Sequence, residues 1–209
     1  MRRVLALAVA LGSLNLGGSA GAANGSWQSF TDTTYGLRLA IPASWHVVPP
    51  TVARVKATIT QLQKQNNAGL AIVYSTFVNS PQARKNLLNS HFQAFQYVPK
   101  DDIQPDFALY FSRTTPALAK EAPTMSATFA QNYAAGQGAV VSKHAMVHLP
   151  AGPVAFFEGT QSVGGHAVQF QIYVVGHGNL LYLFSFRADA RATGEAATFR
   201  AIMNHFDFT

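Results

Sequence analysis

Four strand-like segments follow one another in the second half of the sequence, and short turn-forming stretches separate them. The segments span residues 140–149, 154–161, 167–175 and 180–186, and the stretches between them are rich in Gly and Pro. Turn-forming residues at this spacing typically join antiparallel neighbours. The pattern therefore predicts a C-terminal four-strand antiparallel meander, to which the rest of the chain must be fitted.

The first half of the chain predicts a mixture of strands and helices. Alternation of apolar residues favours a half-buried strand at 35–41 and another at 107–111. Residues 51–65 place their apolar side chains at the spacing of one helical stripe. The nearly continuous apolar run 70–77 is typical of an interior strand that is covered on both faces.

A helix is also predicted to begin after Ser80. Ser80 is a suitable N-cap, and Pro81 would occupy the first helical position, where a missing amide donor costs nothing. This helix would present Leu88, Phe92 and Phe95 on one face.

The remaining helices complete the predicted fold class. One carries Met125, Phe129 and Tyr133 in register and would end at Gly136, and the last runs from about position 189 or 193 to 205. The predicted fold is thus α+β: an antiparallel β-sheet, including the C-terminal meander, with helices packed on it.

The amino terminus has the features of an export signal. Arg2 and Arg3 precede the apolar run 4–11, and small residues lead to the stretch 20–23. We expect a signal peptide at 1–23, cleaved after Ala22 or Ala23, and one domain over 24–209. The processed protein would be periplasmic or extracellular. No later stretch is long and apolar enough to predict a transmembrane span.

Composition excludes several classes of function. The chain has no cysteine, which rules out disulfides, thiolate metal sites and a cysteine nucleophile. Loss of Arg2 and Arg3 lowers the formal charge from +6 to +4. The remaining basic residues form no dense cluster in the sequence, so a nucleic-acid partner is not expected. Mild basicity is compatible with a negatively charged envelope polymer or membrane.

Four features taken together resemble a known family. The first is the segment 35–45, an extended stretch that is broken by Pro42 and closed by Trp45. The other three are a long helical middle, the late meander and the terminal helix ending in 202–206. This combination resembles the PsbP/Mog1-like family, including its bacterial secreted members of unknown function. Independently of the family, Pro42 cannot donate to a strand ladder and should end it, and Trp45 should be a core residue.

The resemblance implies a fold more than an activity. It covers most of the segment 24–209, and its members include a photosystem II extrinsic subunit and a nuclear-transport cofactor. No catalytic motif defines the family. The resemblance therefore implies no catalytic, cofactor-binding or metal-binding residue in this chain, and it assigns no cofactor.

Histidines offer one possible route to metal binding. His144 and His148 alternate on one face of a predicted strand, which would separate them by about 13 Å. They could share an ion only if the strand bent or if the segment were helical. His166 and His177 lie in or beside Gly-rich turns. Binding of a metal by any of these four residues is left open.

Carboxylates are the candidates for acid–base catalysis. Glu158 shares a face with Val154 and Phe156 in the predicted alternation, so partial burial is expected. A buried carboxylate can act as an acid or base, but it is more often paired, here with Arg187 or Lys143. No Gly-x-Ser-x-Gly elbow or His-Glu-x-x-His motif is present.

Three functions remain in competition at this stage. The first is an exported noncatalytic binding or assembly protein that acts through the sheet face or an inter-helix groove on an unknown envelope protein or polymer. The second is a secreted hydrolase that uses Glu158 or Asp106 with a nearby histidine. The third is a weak metal-binding protein that uses His144, His148, His166 or His177.

Overall fold

The computed structural model describes residues 26–99, 101 and 103–209, so the predicted signal peptide lies outside the described residues. Blocks of strands and blocks of helices follow one another along the described chain. The strands are β1 (Trp27–Asp32), β2 (Leu37–Pro42), β3 (Trp45–Val47), β4 (Phe92–Gln96), β5 (Asp106–Arg113), β6 (Val140–Leu149), β7 (Gly152–Val163), β8 (His166–His177), β9 (Leu180–Asp189) and β10 (Asp207–Phe208). The helices are α1 (Val52–Lys64), α2 (Ala68–Asn79), α3 (Pro81–Asn89), α4 (Pro116–Glu121), α5 (Ser126–Gln137) and α6 (Glu195–Asn204), with a 3-10 turn at Ala122–Met125.

Two antiparallel sheets organise the described chain. The larger has seven strands in the order β3-β4-β5-β9-β8-β7-β6, and the smaller has three in the order β1-β2-β10. Strands β6 to β9 pair in sequence order, so the predicted meander is confirmed. The predicted α+β class, with helices packed on antiparallel strands, is also confirmed.

The large sheet is covered on both faces. On one face, the small sheet and α6 enclose the main core, in which Phe107, Phe184 and Phe186 pack against Phe199 of α6. On the other face, α1, α2 and α3 pack over β4 around Phe95. Helices α4 and α5 pack over β6 to β9 around Phe157 and Phe170. The helical face thus carries two separate groups of helices.

The segment 70–77 is the main correction to the sequence prediction. It belongs to helix α2, whose N-cap Asn67 accepts a hydrogen bond from the Leu70 amide through its side chain. Leu70, Ala71 and Tyr74 are buried at helical spacing, while Ile72 is 66% exposed. The run is apolar on nearly all sides, and a short run of this kind does not distinguish a strand from a helix.

Two further boundaries differ from the prediction. Helix α3 ends at Asn89, and Phe92 and Phe95 lie in strand β4, where they face opposite sides of the sheet. Helix α5 continues past Gly136 to Gln137, and Gly138 caps it at φ 62°. This left-handed conformation strongly favours glycine.

The predictions for Pro42 and Trp45 are confirmed. Pro42 is the last residue of β2. Trp45 is 3% exposed and packs edge-on against Phe199 of α6 at a centroid distance of 6.3 Å. No helix within the described ranges has the length and hydropathy that crossing a bilayer requires.

Candidate functional site

A strip of polar side chains lies on the helical face of the large sheet, between the two groups of helices. Strands β5 and β9 pair directly, and their inward side chains on the main-core face are buried. On the helical face the same strands carry five polar residues that are partly or fully exposed. We call these residues the polar strip: Asp106, Tyr110, Ser112, Ser185 and Arg187.

The centre of the polar strip is a two-point ion pair. Arg187 and Asp106 are direct neighbours across β9 and β5. Arg187 donates from Nε to Oδ1 over 3.1 Å and from Nη2 to Oδ2 over 2.7 Å. The side chains are 32% and 24% exposed. The negative charge of Asp106 raises the pKa of the Arg187 guanidinium above its ordinary value. The two groups therefore neutralise each other while their outer edges stay accessible.

Two tyrosines border this ion pair. Burial raises the pKa of Tyr110 on β5 and of Tyr133 on α5 above the ordinary phenol value, and the nearby Arg187 charge opposes both shifts. Tyr133 also donates to Gln161 Oε1 over 3.2 Å. Both hydroxyls stay protonated at neutral pH, so they can give and accept hydrogen bonds but cannot act as bases.

Gln93 on β4 adds an acceptor without a partner. Its side-chain amide contacts the Tyr110 hydroxyl, and this contact lowers the pKa of Tyr110. Gln93 is 8% exposed, and no group in the described part of the chain donates to its Oε1. Because a buried acceptor without a donor is costly, this oxygen favours an internal water or a small shift of a neighbour that supplies a donor.

Glu158 lies on the opposite face of the sheet from the polar strip. The predicted face and partial burial of Glu158 are confirmed, since it joins the Val154 and Phe156 side of β7. Gln171 Nε2 donates to Glu158 Oε2 over 3.0 Å, and Tyr173 donates to Gln171 Oε1 over 3.2 Å. Burial raises the pKa of Tyr173 to about 12.

Arg187 is not the partner of Glu158. In the sheet register Arg187 is opposite Phe170, whereas Glu158 is opposite Gln171. Successive residues of a strand point to opposite faces, so Arg187 and Glu158 are separated by the sheet. Lys143 is opposite Glu158 in the register. Its Nζ, however, lies over the Phe156 ring, 5.8 Å from the ring centre.

Asp106 has no histidine beside it among the described residues. The nearest in its row of the sheet is His46, and Phe95 stands between the two. Two strand spacings separate them by about 10 Å, beyond hydrogen-bond reach. Burial lowers the pKa of His46 below its ordinary value. The structure therefore does not place a histidine within hydrogen-bond reach of Asp106 along this row of the sheet.

The four candidate metal ligands are also dispersed. His144 and His148 are exposed on edge strand β6, four residues apart, and the strand is confirmed. His166 and His177 lie at opposite ends of β8, about 36 Å apart along the strand. His177 stacks on Phe208 at a centroid distance of 3.9 Å. Within the described ranges, no three His, Asp or Glu side chains approach closely enough to hold a metal ion.

One carboxylate–imidazole contact was not predicted from the sequence. His91, just before β4, donates through Nε2 to Oδ2 of Asp32, the last residue of β1. The other oxygen, Oδ1, accepts from the amides of Thr34 and Tyr35 over 2.8 and 3.2 Å. The imidazole packs between Tyr35 and Phe111 at centroid distances of 4.7 and 4.3 Å. The contact joins the small sheet to the large one, and we interpret it as a structural clamp.

Replacing His91 by Ala tests this interpretation. We expect a loss of about 2 kcal/mol in the free energy of unfolding, since the buried Asp32 charge loses one donor but keeps its two amides. Urea unfolding measures this loss. His144→Ala, on an exposed face, is the matched control and should change stability by less than about 0.5 kcal/mol. Equal stability of the two variants would contradict the clamp.

Comparison with solved structures places this geometry in a known fold. The solution structure of cyanobacterial PsbP from Synechocystis sp. PCC 6803 is 15% identical, with a TM-score of 0.54, and the match covers 93% of this chain and 99% of that chain. The chain has a PsbP-like fold. This confirms the fold that the sequence resemblance implied.

Two other solved structures are similar over most of the chain. LpqN, involved in cell envelope biogenesis of Mycobacterium tuberculosis, is 14% identical over 90% of this chain and 87% of that chain, with a TM-score of 0.43. A protein from Bacteroides thetaiotaomicron VPI-5482 is 11% identical over 87% of this chain, with a TM-score of 0.47. The chain spans about half of that protein, 48% of its length. No family model and no curated protein sequence matches the chain.

The polar strip on this PsbP-like fold was missed by sequence reasoning. Asp106 and Arg187 are 81 positions apart, and only the strand register makes them neighbours. A usable signal was present, because each is a charged residue on the polar side of an alternating strand. Two opposite charges at such positions indicate cross-strand pairing once the strand order is known.

Proposed function

We propose that this chain is an exported noncatalytic binding protein that holds an envelope protein or polymer against the polar strip. The observation that carries the proposal is the arrangement of the strip: a neutralised Arg187–Asp106 pair beside the neutral hydroxyl of Tyr110, with the neutral hydroxyl of Tyr133 at its border. These groups present fixed donors and acceptors of the kind that orient a bound ligand.

The same groups are poorly suited to general acid–base chemistry. Asp106 is held by two hydrogen bonds from a permanently charged guanidinium, and the raised pKa of Tyr110 keeps that phenol protonated. A general base needs an unprotonated form with a lone pair that faces the substrate; both Asp106 oxygens already accept hydrogen bonds from Arg187, and Tyr110 stays protonated. The geometry therefore favours recognition over turnover, and the predicted signal peptide favours a partner in the cell envelope or outside it.

Site-specific photo-crosslinking in the producing cell tests the proposal. A photoreactive residue at Ser112, which is exposed at one end of the strip, should give a defined crosslinked product with an envelope component. The same residue at His144, exposed on edge strand β6, is the positional control and should give none. Tyr110→Phe should lower the yield at Ser112 by about fivefold, because one hydrogen bond of about 1 kcal/mol is lost.

Two results would contradict this function. One is equal crosslinking from Ser112 and His144, which would indicate random collision. The other is an unchanged yield in the Tyr110→Phe variant, which would show that the polar strip takes no part in binding.

A further inference from the structure

Helices α1, α2 and α3 form a surface whose charged side chains are all positive. The sequence contains no Asp or Glu between Asp32 and Asp101. Within this interval the three helices carry five exposed basic side chains: Arg54, Lys56, Lys64, Arg84 and Lys85. None of them takes part in the ion pairs found in the described part of the chain. Their charges are therefore not neutralised locally and produce a positive field at this end of the molecule.

Exposed apolar side chains lie on the same helices. Ile72 on α2 is 66% exposed and Leu88 on α3 is 59% exposed. A groove of about 370 Å³ lies between the end of α2 and α3. Leu88 lines this groove together with Arg84 and Lys85, so an apolar wall and two cations meet in one place.

We propose that helices α1–α3 dock on the surface of an anionic lipid bilayer. A bilayer surface offers phosphate groups for the five cations and an acyl boundary for Ile72 and Leu88. A hydrophilic polyanion would neutralise the charges but would leave the two aliphatic side chains in water. The combination of charge and exposed apolar residues therefore favours a lipid surface. This docking is independent of the function proposed for the polar strip.

The strength of such docking depends on the number of charges that reach the lipid. Each basic side chain at an anionic surface raises the affinity by about fivefold. Salt screens this attraction over a Debye length of about 10 Å in 0.1 M salt. Docking should therefore be reversible and should weaken with increasing ionic strength.

Vesicle co-sedimentation tests the proposal with the protein purified after export, its processed amino terminus identified by mass spectrometry. We expect binding to vesicles that contain phosphatidylglycerol and little binding to phosphatidylcholine vesicles. The double variant Arg84→Gln/Lys85→Gln should bind the anionic vesicles about 25-fold more weakly, since two charges are lost. The matched control Arg113→Gln/Lys120→Gln removes the same net charge elsewhere and should stay within about twofold of the parent.

A second variant separates a lipid surface from an acidic polymer. Ile72→Gln/Leu88→Gln keeps every charge and should reduce vesicle binding about tenfold, because the exposed apolar groups are lost. Absence of binding to anionic vesicles would overturn the proposal. Equal weakening by the two charge variants would overturn it as well. So would full competition by soluble polyphosphate with no effect of Ile72→Gln/Leu88→Gln, which would indicate an acidic polymer.

Discussion

Replacing Gly176 by Ala is expected to lower the free energy of unfolding by at least about 3 kcal/mol. A Cβ atom at this position of β8 would lie 1.8 Å from the carbonyl oxygen of Ala119 in α4. The carbonyl carbon and Cα of Ala119 would lie at 2.6 and 2.8 Å. All three are main-chain atoms, so no side-chain rotation can relieve the overlap. Helix α4 must move away from the sheet.

Gly136, in the neighbouring helix α5, supplies the control. Gly136 lies inside α5, and a Cβ atom there would meet nothing within 4 Å. Gly136→Ala should raise stability by about 0.5–1 kcal/mol, because alanine loses less backbone freedom in a helix than glycine does. The same Gly→Ala change should thus lower the free energy of unfolding at position 176 and raise it at position 136.

Urea unfolding followed by circular dichroism measures both variants under the same conditions. Hydrogen exchange of the α4 amides adds a local measurement, since displacement of α4 in the Gly176→Ala variant should increase their exchange rates. Unchanged stability and unchanged exchange in this variant would show that α4 does not contact β8 at Gly176.

The success of the meander prediction has a local cause. Strands β6 to β9 pair in the order in which they occur, and glycines at tight turns, such as Gly164 at φ 59°, mark the reversals. Neighbouring turns and alternating residues contain all the information that such a pairing needs. The same local signals correctly placed α1 and β5.

The failure at 70–77 has a tertiary cause. An apolar run of this length can be buried as a strand or as a helix, and the choice depends on what packs beside it. Helix α1 precedes the run and provides an apolar surface around Val55 and Leu62, against which Leu70 and Tyr74 pack. That neighbouring surface decides the outcome, and local periodicity does not report it.

The candidate site could be predicted only in part. An inter-helix groove with aromatic and basic side chains was one of the expected binding surfaces, and the polar strip lies between two groups of helices. Its residues come from β5 and β9, which are neighbours only because β9 inserts between β5 and β8. Strand order of this kind depends on packing of the whole sheet, so the Arg187–Asp106 pair could not be predicted from local sequence.

Removing one partner of the Arg187–Asp106 pair is expected to lower the free energy of unfolding by about 3 kcal/mol. Arg187→Met leaves the partly buried Asp106 carboxylate without its two hydrogen bonds, and removal of one partner of a partly buried ion pair is destabilising. Asp106→Asn should cost less, about 1–2 kcal/mol, since the long guanidinium side chain can extend toward water. The double variant removes both charges and leaves none buried alone.

A double-mutant cycle therefore isolates the interaction. The cost of Asp106→Asn/Arg187→Met should fall below the sum of the single costs by about 1–3 kcal/mol, a difference that urea unfolding can measure. Arg38 and Asp207 form the matched control, because their side chains are 59% and 48% exposed and 3.7 Å apart. Coupling in Arg38→Gln/Asp207→Asn should stay below about 0.5 kcal/mol. If the two cycles gave the same coupling, Arg187 and Asp106 would be an ordinary surface pair, and the polar strip would lose the fixed centre on which its proposed binding role depends.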